Sequence, residues 1–164
     1  MAEALITLTR LLIVREIQED ASGAALRFQE GSRGHLALGD ANYATHSRLA
    51  RRSQERQHPI GVSFGEGHAI TELIRADNDA PTELWDENSD QARVLFQGHD
   101  GVFLLKPDHP ESNRIRALLS EALRLKAPVW FIAQKPDLAL LDVLPVGGAV
   151  AASQTGDGDS AAKL

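Results

Sequence analysis

Three observations predict an α+β fold that is mostly antiparallel, with a strongly curled sheet or small barrel, one amphipathic helix and a disordered C-terminal tail. Short runs rich in Ile, Leu, Val, Phe and Thr recur along the chain, bounded by Gly, Pro, Asp and Asn, which is the pattern of short strands joined by turns. One segment near residues 110–126 carries a sustained apolar face at helical spacing. Beyond Val146 the chain reads "GGAVAASQTGDGDSAAKL", small and polar. Such a stretch buries too little apolar area to offset an ordering entropy of roughly 1–2 kcal/mol per residue.

Residues 1–39 read as a meander of three strands: Leu5 to Ile17, then "GAALRFQE" and "GSRGHLAL" around a Gly31-Ser32 turn. Residues 40–58, "DANYATHSRLARRSQERQH", lose the two-residue alternation and contain good helix formers. Asp40 can act as N-cap and Pro59 stands just past the end, so this is a basic helix or loop.

From 59 to 145 the pattern is clearest, with "PIGVSF", "HAITELIRA", "TELWD", "ARVLFQ" and "GVFLLK" as strands, then a helix, then "PVWFIA" and "LALLDVL". In the helix, Ile115, Leu118, Leu119, Ala122 and Leu123 fall on one face. Asp108 or His109 can cap it, and Pro110 suits its first turn. A helix between the third and fourth of five strands is compatible with an OB-type barrel in 59–145. The whole of 1–145 is expected to form a single globular domain, with 146–164 as the tail.

Composition narrows the function. The 164 residues carry 43% hydrophobic and 24% charged side chains, enough for a real core and too ordinary for wholesale disorder. No cysteine is present, which removes disulfides, thiolate metal sites and thiol nucleophiles. The formal net charge of −6 repels phosphate backbones on average. No run approaches the roughly 20 apolar residues of a membrane span, and Glu3, Arg10 and Arg15 interrupt the N-terminal apolar run, unlike a signal peptide. Thirteen arginines against four lysines suit a GC-rich bacterial genome, and the expected location is cytoplasmic.

Three Gly-His pairs invite a site at His35, His68 and His99. A mononuclear metal centre needs three or four ligands converging on one ion, and none of the six histidines stands in a His-x-His or His-x-x-x-His pair. Asp100-Gly101 favours a two-residue hairpin turn, which would place Gly98 opposite Phe103, leaving room for that ring, and turn His99 away from the phenylalanines. A turn at Glu66-Gly67 would put Ser63, His68, Ile70 and Glu72 on one face. These histidines are therefore expected to flank turns, with a metal or hydrolase site as a third reading and no cofactor implied.

Arg48, Arg51, Arg52 and Arg56 would line one side of a helix. Such a stripe can hold phosphate, nucleic acid or an acidic protein, but no aromatic residues interleave for base stacking. "TELIRADNDAPTELWDENSD" is oppositely charged and reads largely as an acidic loop. Asp77-x-Asp79 lacks the glycine and further ligands of a calcium loop, and there is no Gly-x-Ser-x-Gly and no phosphate-binding Gly-rich loop. The leading expectation is a non-catalytic protein acting through protein–protein contact or self-association. Nucleic-acid or phosphate binding through the arginine stripe is the alternative.

Overall fold

The computed structural model describes residues 9–86 and 91–146. The expected tail, apart from Val146, lies outside the described residues. The chain is mixed α+β with largely antiparallel sheets, and it divides into two compact units, Met1–Ala76 and Asp77–Leu164. No helix among the described residues is long and apolar enough to cross a membrane.

In the first unit, β1 (Thr9–Leu12) and β2 (Val14–Asp20) are separated by Ile13 alone, then come β3 (Gly23–Phe28), β4 (Arg33–Ala37), α1 (Tyr43–Arg56), β5 (Ile60–Phe64) and β6 (Ile70–Arg75). The sheets have the orders β1-β5-β6 and β2-β3-β4. A parallel bridge between His35 and Ala69 joins the β4 side to the β6 side. Gly34 allows this close approach, since a Cβ there would lie 2.6 Å from the Ile70 side chain and 2.8 Å from Phe64. The core contains Leu12, Val14, Leu26, Phe28, Leu36, Val62, Ile70 and Leu73.

The second unit has β7 (Asp77–Asp79) and β8 (Pro81–Asp86), separated by Ala80 alone, then β9 (Ala92–Phe96), β10 (His99–Leu105), α2 (Ser112–Leu125), β11 (Val129–Gln134) and β12 (Ala139–Pro145). They form one sheet of order β7-β11-β12-β10-β9-β8, in which β10 and β12 run parallel. Its core includes Val94, Phe96, Phe103, Leu105, Ile115, Leu119, Phe131, Leu140 and Val143. The strands between 59 and 145 are thus shared between two units: β5 pairs with β1 and β6 with β5, and the remainder pair among themselves.

The two units repeat one connectivity down to the residue. The strand that opens each unit switches partners at one residue, from the strand after the helix (β5, β11) to its own hairpin neighbour (β3, β9). At that corner the Ile13 carbonyl accepts the Gln29 N–H, and the Ala80 carbonyl accepts the Gln97 N–H. Both helices end on a left-handed cap, Gln57 or Lys126, followed two residues later by proline. The caps are 69 positions apart, as are Ile60 and Val129, which begin the next strands. The last hairpin of each unit has its register shift at the matching place, Ser63/Phe64 and Ile132/Ala133.

Neither helix starts where a side-chain N-cap was expected. The caps are Asn42 and Glu111, without side-chain cap bonds. Asp40 and His109 instead accept the N–H groups of Asn42 and Glu111, at 2.7 and 2.9 Å. The helices differ most in what they bury. At the equivalent positions α2 presents Ile115, Leu119 and Ala122, whereas α1 presents His46, Ala50 and Ser53.

Two expected hairpins differ in detail. The β9–β10 turn lies at Gln97-Gly98, so His99 pairs with Phe96, and Asp100 and Gly101 fall in an irregular stretch before Phe103 pairs with Val94. The Asp79 carboxylate explains the shift, because it accepts the Gly98 N–H at 2.7 Å and bonds His99 Nδ1 at 2.6 Å. Gly98 consequently leaves room for Asp79, not for the Phe103 ring. In the β5–β6 hairpin a 3-10 turn spans Glu66–His68 and Ile70 is buried with Val62 and Leu73, because the extra residue at Thr71 returns Ile70 to the core face.

Candidate functional site

The arginine stripe lies on α1, so residues 40–58 contain a helix. Arg48, Arg51, Arg52 and Arg56 are all exposed, while His46, Ala50 and Ser53 on the other side are buried. Arg51 is tethered to Glu19 on β2 by an ion pair. Arg48, Arg52 and Arg56, spaced by four residues, form no ion pair among the described residues. Arg56 also sits in the last turn, where the helix dipole favours a cation.

The buried side of α1 is held by polar chemistry. Ser53 is 1% exposed. Its hydroxyl accepts the Val14 N–H at 3.0 Å and donates to the His58 carbonyl at 2.7 Å. In the second unit the residue matching Val14 at the strand corner is Pro81, which has no N–H to satisfy, and the residue matching Ser53 is Ala122.

The three Gly-His pairs do not form one centre. His35 lies at the rim of β4, 3.3 Å from the Ser22 hydroxyl, and His68 is exposed on the 3-10 turn with φ of 67°. His99 belongs to the second unit. Its ring meets Phe96, Phe103 and Phe131 edge-on, with centroids 6.4, 6.2 and 5.3 Å away, so it packs with the phenylalanines instead of pointing away from them. Its Nε2 is 3.8 Å from Asp77. Among the described residues no group of three or more His, Asp or Glu is placed to hold a metal.

Asp77 and Asp79 lie on β7, strand where a loop was expected, and Glu83 and Asp86 lie on β8, over the expected short strand; Glu87 and Asp90 lie outside the described residues. Burial pushes the Asp79 carboxyl up, but hydrogen bonds from His99 and from the Gly98 and Ala80 N–H groups outweigh it and leave the pKa below the ordinary carboxylate value. The Asp79–His99 pair thereby ties β7 to the turn between β9 and β10.

Two further arrangements went unread in the sequence. In the first unit, Thr9, Asn42, His46, Ser63, Thr71 and Glu72 line a polar cleft of about 430 Å³. Ser63 and Glu72 stand opposite one another on β5 and β6, but the histidine that joins them is His46 from α1, not His68. His46 is 5% exposed and its Nδ1 has no hydrogen-bond partner among the described residues.

In the second unit, the Arg114 guanidinium bonds Glu111 and Asp142 and donates to the Val143 carbonyl at 3.0 Å. Asp142 is only 5% exposed. Burial alone would lower the Arg114 pKa, yet the Glu111 hydrogen bond and the Asp142 charge raise it. Patterns of charge do not reveal the second arrangement, since Arg114 and Asp142 are 28 residues apart. Comparison of the chain with protein-family models, curated proteins and solved structures gave no match.

Proposed function

We propose that the protein is a non-catalytic binding protein, bacterial and cytoplasmic, built from two OB-type barrels and needing no cofactor. It acts by docking an acidic protein surface, including that of a second copy, on the arginine face of α1. The barrel reading rests on strand order. β7 and β8 occupy the two ends of the six-strand order yet are joined through one residue, an arrangement met most simply by a sheet that curls until its ends meet. Counting that bent segment as strand one, the order is 1-2-3-5-4 with the helix between three and four, and β1 with β2 opens the same order in the first unit. This reading moves the barrel expected in 59–145 to 77–145 and adds another over 9–75.

The observation that carries the docking role is the contrast between Arg51, paired with Glu19, and Arg48, Arg52 and Arg56, which have no such partner among the described residues. Unpaired surface arginines at a regular four-residue spacing suit recognition of carboxylates, because each guanidinium offers a planar fork of donors. Self-association is supported by how charge divides along the chain. Residues 1–76 hold nine basic and nine acidic residues, and residues 77–164 hold eight and fourteen, so the entire net charge of −6 falls in the second part.

Sedimentation of the full chain tests this: association should weaken with salt and be lost in a triple Arg48→Glu, Arg52→Glu, Arg56→Glu variant. If no self-association occurs and no acidic peptide binds at low salt, the docking role is wrong. OB-type barrels also bind oligonucleotides, which favours a second reading for the same arginines. Saturable binding of single-stranded DNA or RNA, with an affinity falling linearly in log salt and lost in the triple variant, would favour it.

A further inference from the structure

The repeat shows what chemistry the cleft of the first unit lacks. Register makes Glu72 the counterpart of Asp142, since Glu72 stands opposite Ser63 and Asp142 opposite Ile132, each one step before the shared register shift. Asn42 and Glu111 are both N-caps. Three positions into each helix, the second unit has Arg114 and the first has Thr45. Arg114 lies between the N-cap Glu111 and the strand carboxylate Asp142, and its counterpart space lies between Asn42 and Glu72. There the first unit has a cleft, lined by Asn42 and Glu72 among others, and the short Thr45 stands at the position of Arg114.

From this we propose that the cleft is a binding site for a guanidinium group supplied from outside the chain, either an arginine side chain of a polypeptide or a free arginine-type compound. Glu72 supplies the opposing charge, as Asp142 does for Arg114, but it is exposed, whereas Asp142 is covered. The hydroxyls of Thr9, Ser63 and Thr71 and the amide of Asn42 add oxygen acceptors around it. His46 also lines the cleft and is 5% exposed, its buried Nδ1 without a hydrogen-bond partner among the described residues. A planar guanidinium, with five donors, suits such a lining better than an ammonium with three. The site faces a cation and the α1 stripe faces anions, so this inference stands independently of the docking role.

Amide NMR on the full chain tests it, with N-acetyl-arginine methylamide as probe and the matching lysine derivative as control. The arginine probe should shift the signals of Asn42 to His46, Ser63 and Thr71 to Leu73 saturably, and more tightly than the lysine probe. Glu72→Gln should weaken binding by about tenfold or more, the loss expected for one charge-assisted hydrogen bond. Thr45→Arg should abolish it by filling the cleft from within, and in this variant Glu72 should become protected. Tighter binding of the blocked probe than of free arginine assigns the site to a protein side chain, and the reverse assigns it to a small molecule. Absence of saturable shifts in the wild-type chain, or equal binding by Glu72→Gln with a native-like spectrum, would overturn the proposal.

Discussion

Replacing Ser53 with alanine removes both the acceptor for the Val14 N–H and the donor to the His58 carbonyl. Residue 58 is exposed, so water can take over its carbonyl. Val14 is 0% exposed, so its N–H at the strand corner has no solvent to turn to. A buried donor stranded in this way costs about 1–3 kcal/mol, and a neutral hydrogen bond contributes about 1 kcal/mol net. The expected loss for Ser53→Ala is therefore about 2–3 kcal/mol, large for so small a change. The second unit suggests the compensating change, since its corner carries Pro81 where the first has Val14. Adding Val14→Pro to Ser53→Ala deletes the stranded donor and should recover about 1–2 kcal/mol, read as coupling in a double-mutant cycle. Hydrogen exchange of the α1 amides, at several denaturant concentrations, measures this for the first unit without assuming that the chain unfolds in one step. A Ser53→Ala loss below about 0.5 kcal/mol, within the range of an ordinary surface substitution, or a strictly additive cycle would refute the reasoning.

Other perturbations separate the units' chemistries. Leu119→Ala empties a site that is 0% exposed and should cost about 2.7–5 kcal/mol, read from the fluorescence of Trp85 and Trp130, both in the second unit. Arg114→Ala leaves the Asp142 carboxylate, 5% exposed, without its cation. Breaking a buried pair costs about 3–5 kcal/mol, but the Arg114 side chain is itself 39% exposed and water would reach the gap, so about 1–3 kcal/mol is expected in urea denaturation. The pKa of Asp79 is depressed on folding, so its stabilisation is present above the unfolded value near pH 4 and disappears as pH falls through the lower folded value. Between pH 5 and pH 2 the stability of Asp79→Asn should consequently fall less than that of wild type; parallel pH curves would remove Asp79 from the account.

The elements that periodicity can report were legible. The apolar face of α2 reads directly from Ile115, Leu119 and Ala122, all buried. By contrast α1 was ambiguous between helix and loop, because the side it buries is His46, Ala50 and Ser53, which no hydrophobic pattern marks. The β9–β10 turn was misplaced because Asp100-Gly101 has the stronger local preference, and the group that decides the matter, Asp79, is 19 residues from Gly98. Long-range acceptors leave no mark on a local pattern. The repeat escaped for a related reason. Its equivalent positions differ in class: Ser53 against Ala122, Val14 against Pro81, His46 against Ile115. What survives is spacing, together with two Phe-Gln pairs and the prolines at 59 and 128. The proposal for the polar cleft rests on Thr45 standing where the second unit has Arg114, and that contrast is visible only once the units have been matched through their registers.

The same match locates the proposed binding work in the first unit. All three arginines of α2 are paired within the unit: Arg114 with Glu111 and Asp142, Arg116 with Asp86 at 2.7 Å, and Arg124 with Glu121. That helix has its charges neutralised and its inner face filled by aliphatic side chains, as stability requires. The first unit combines a polar inner face on α1, a carboxylate at Glu72 on β6 and three arginines on α1, none of these charges in an ion pair among the described residues. Each of these features costs the unit stability relative to its counterpart. One fold appears twice in this chain, so the loss is not a demand of the topology. Where a repeat gives up neutralised charge and apolar packing in one copy only, the proposed acidic surface and the proposed guanidinium would supply the missing partners. A saturating acidic partner on α1, or a saturating guanidinium in the cleft, should therefore each raise the stability of the first unit in proportion to the logarithm of its own concentration above its dissociation constant.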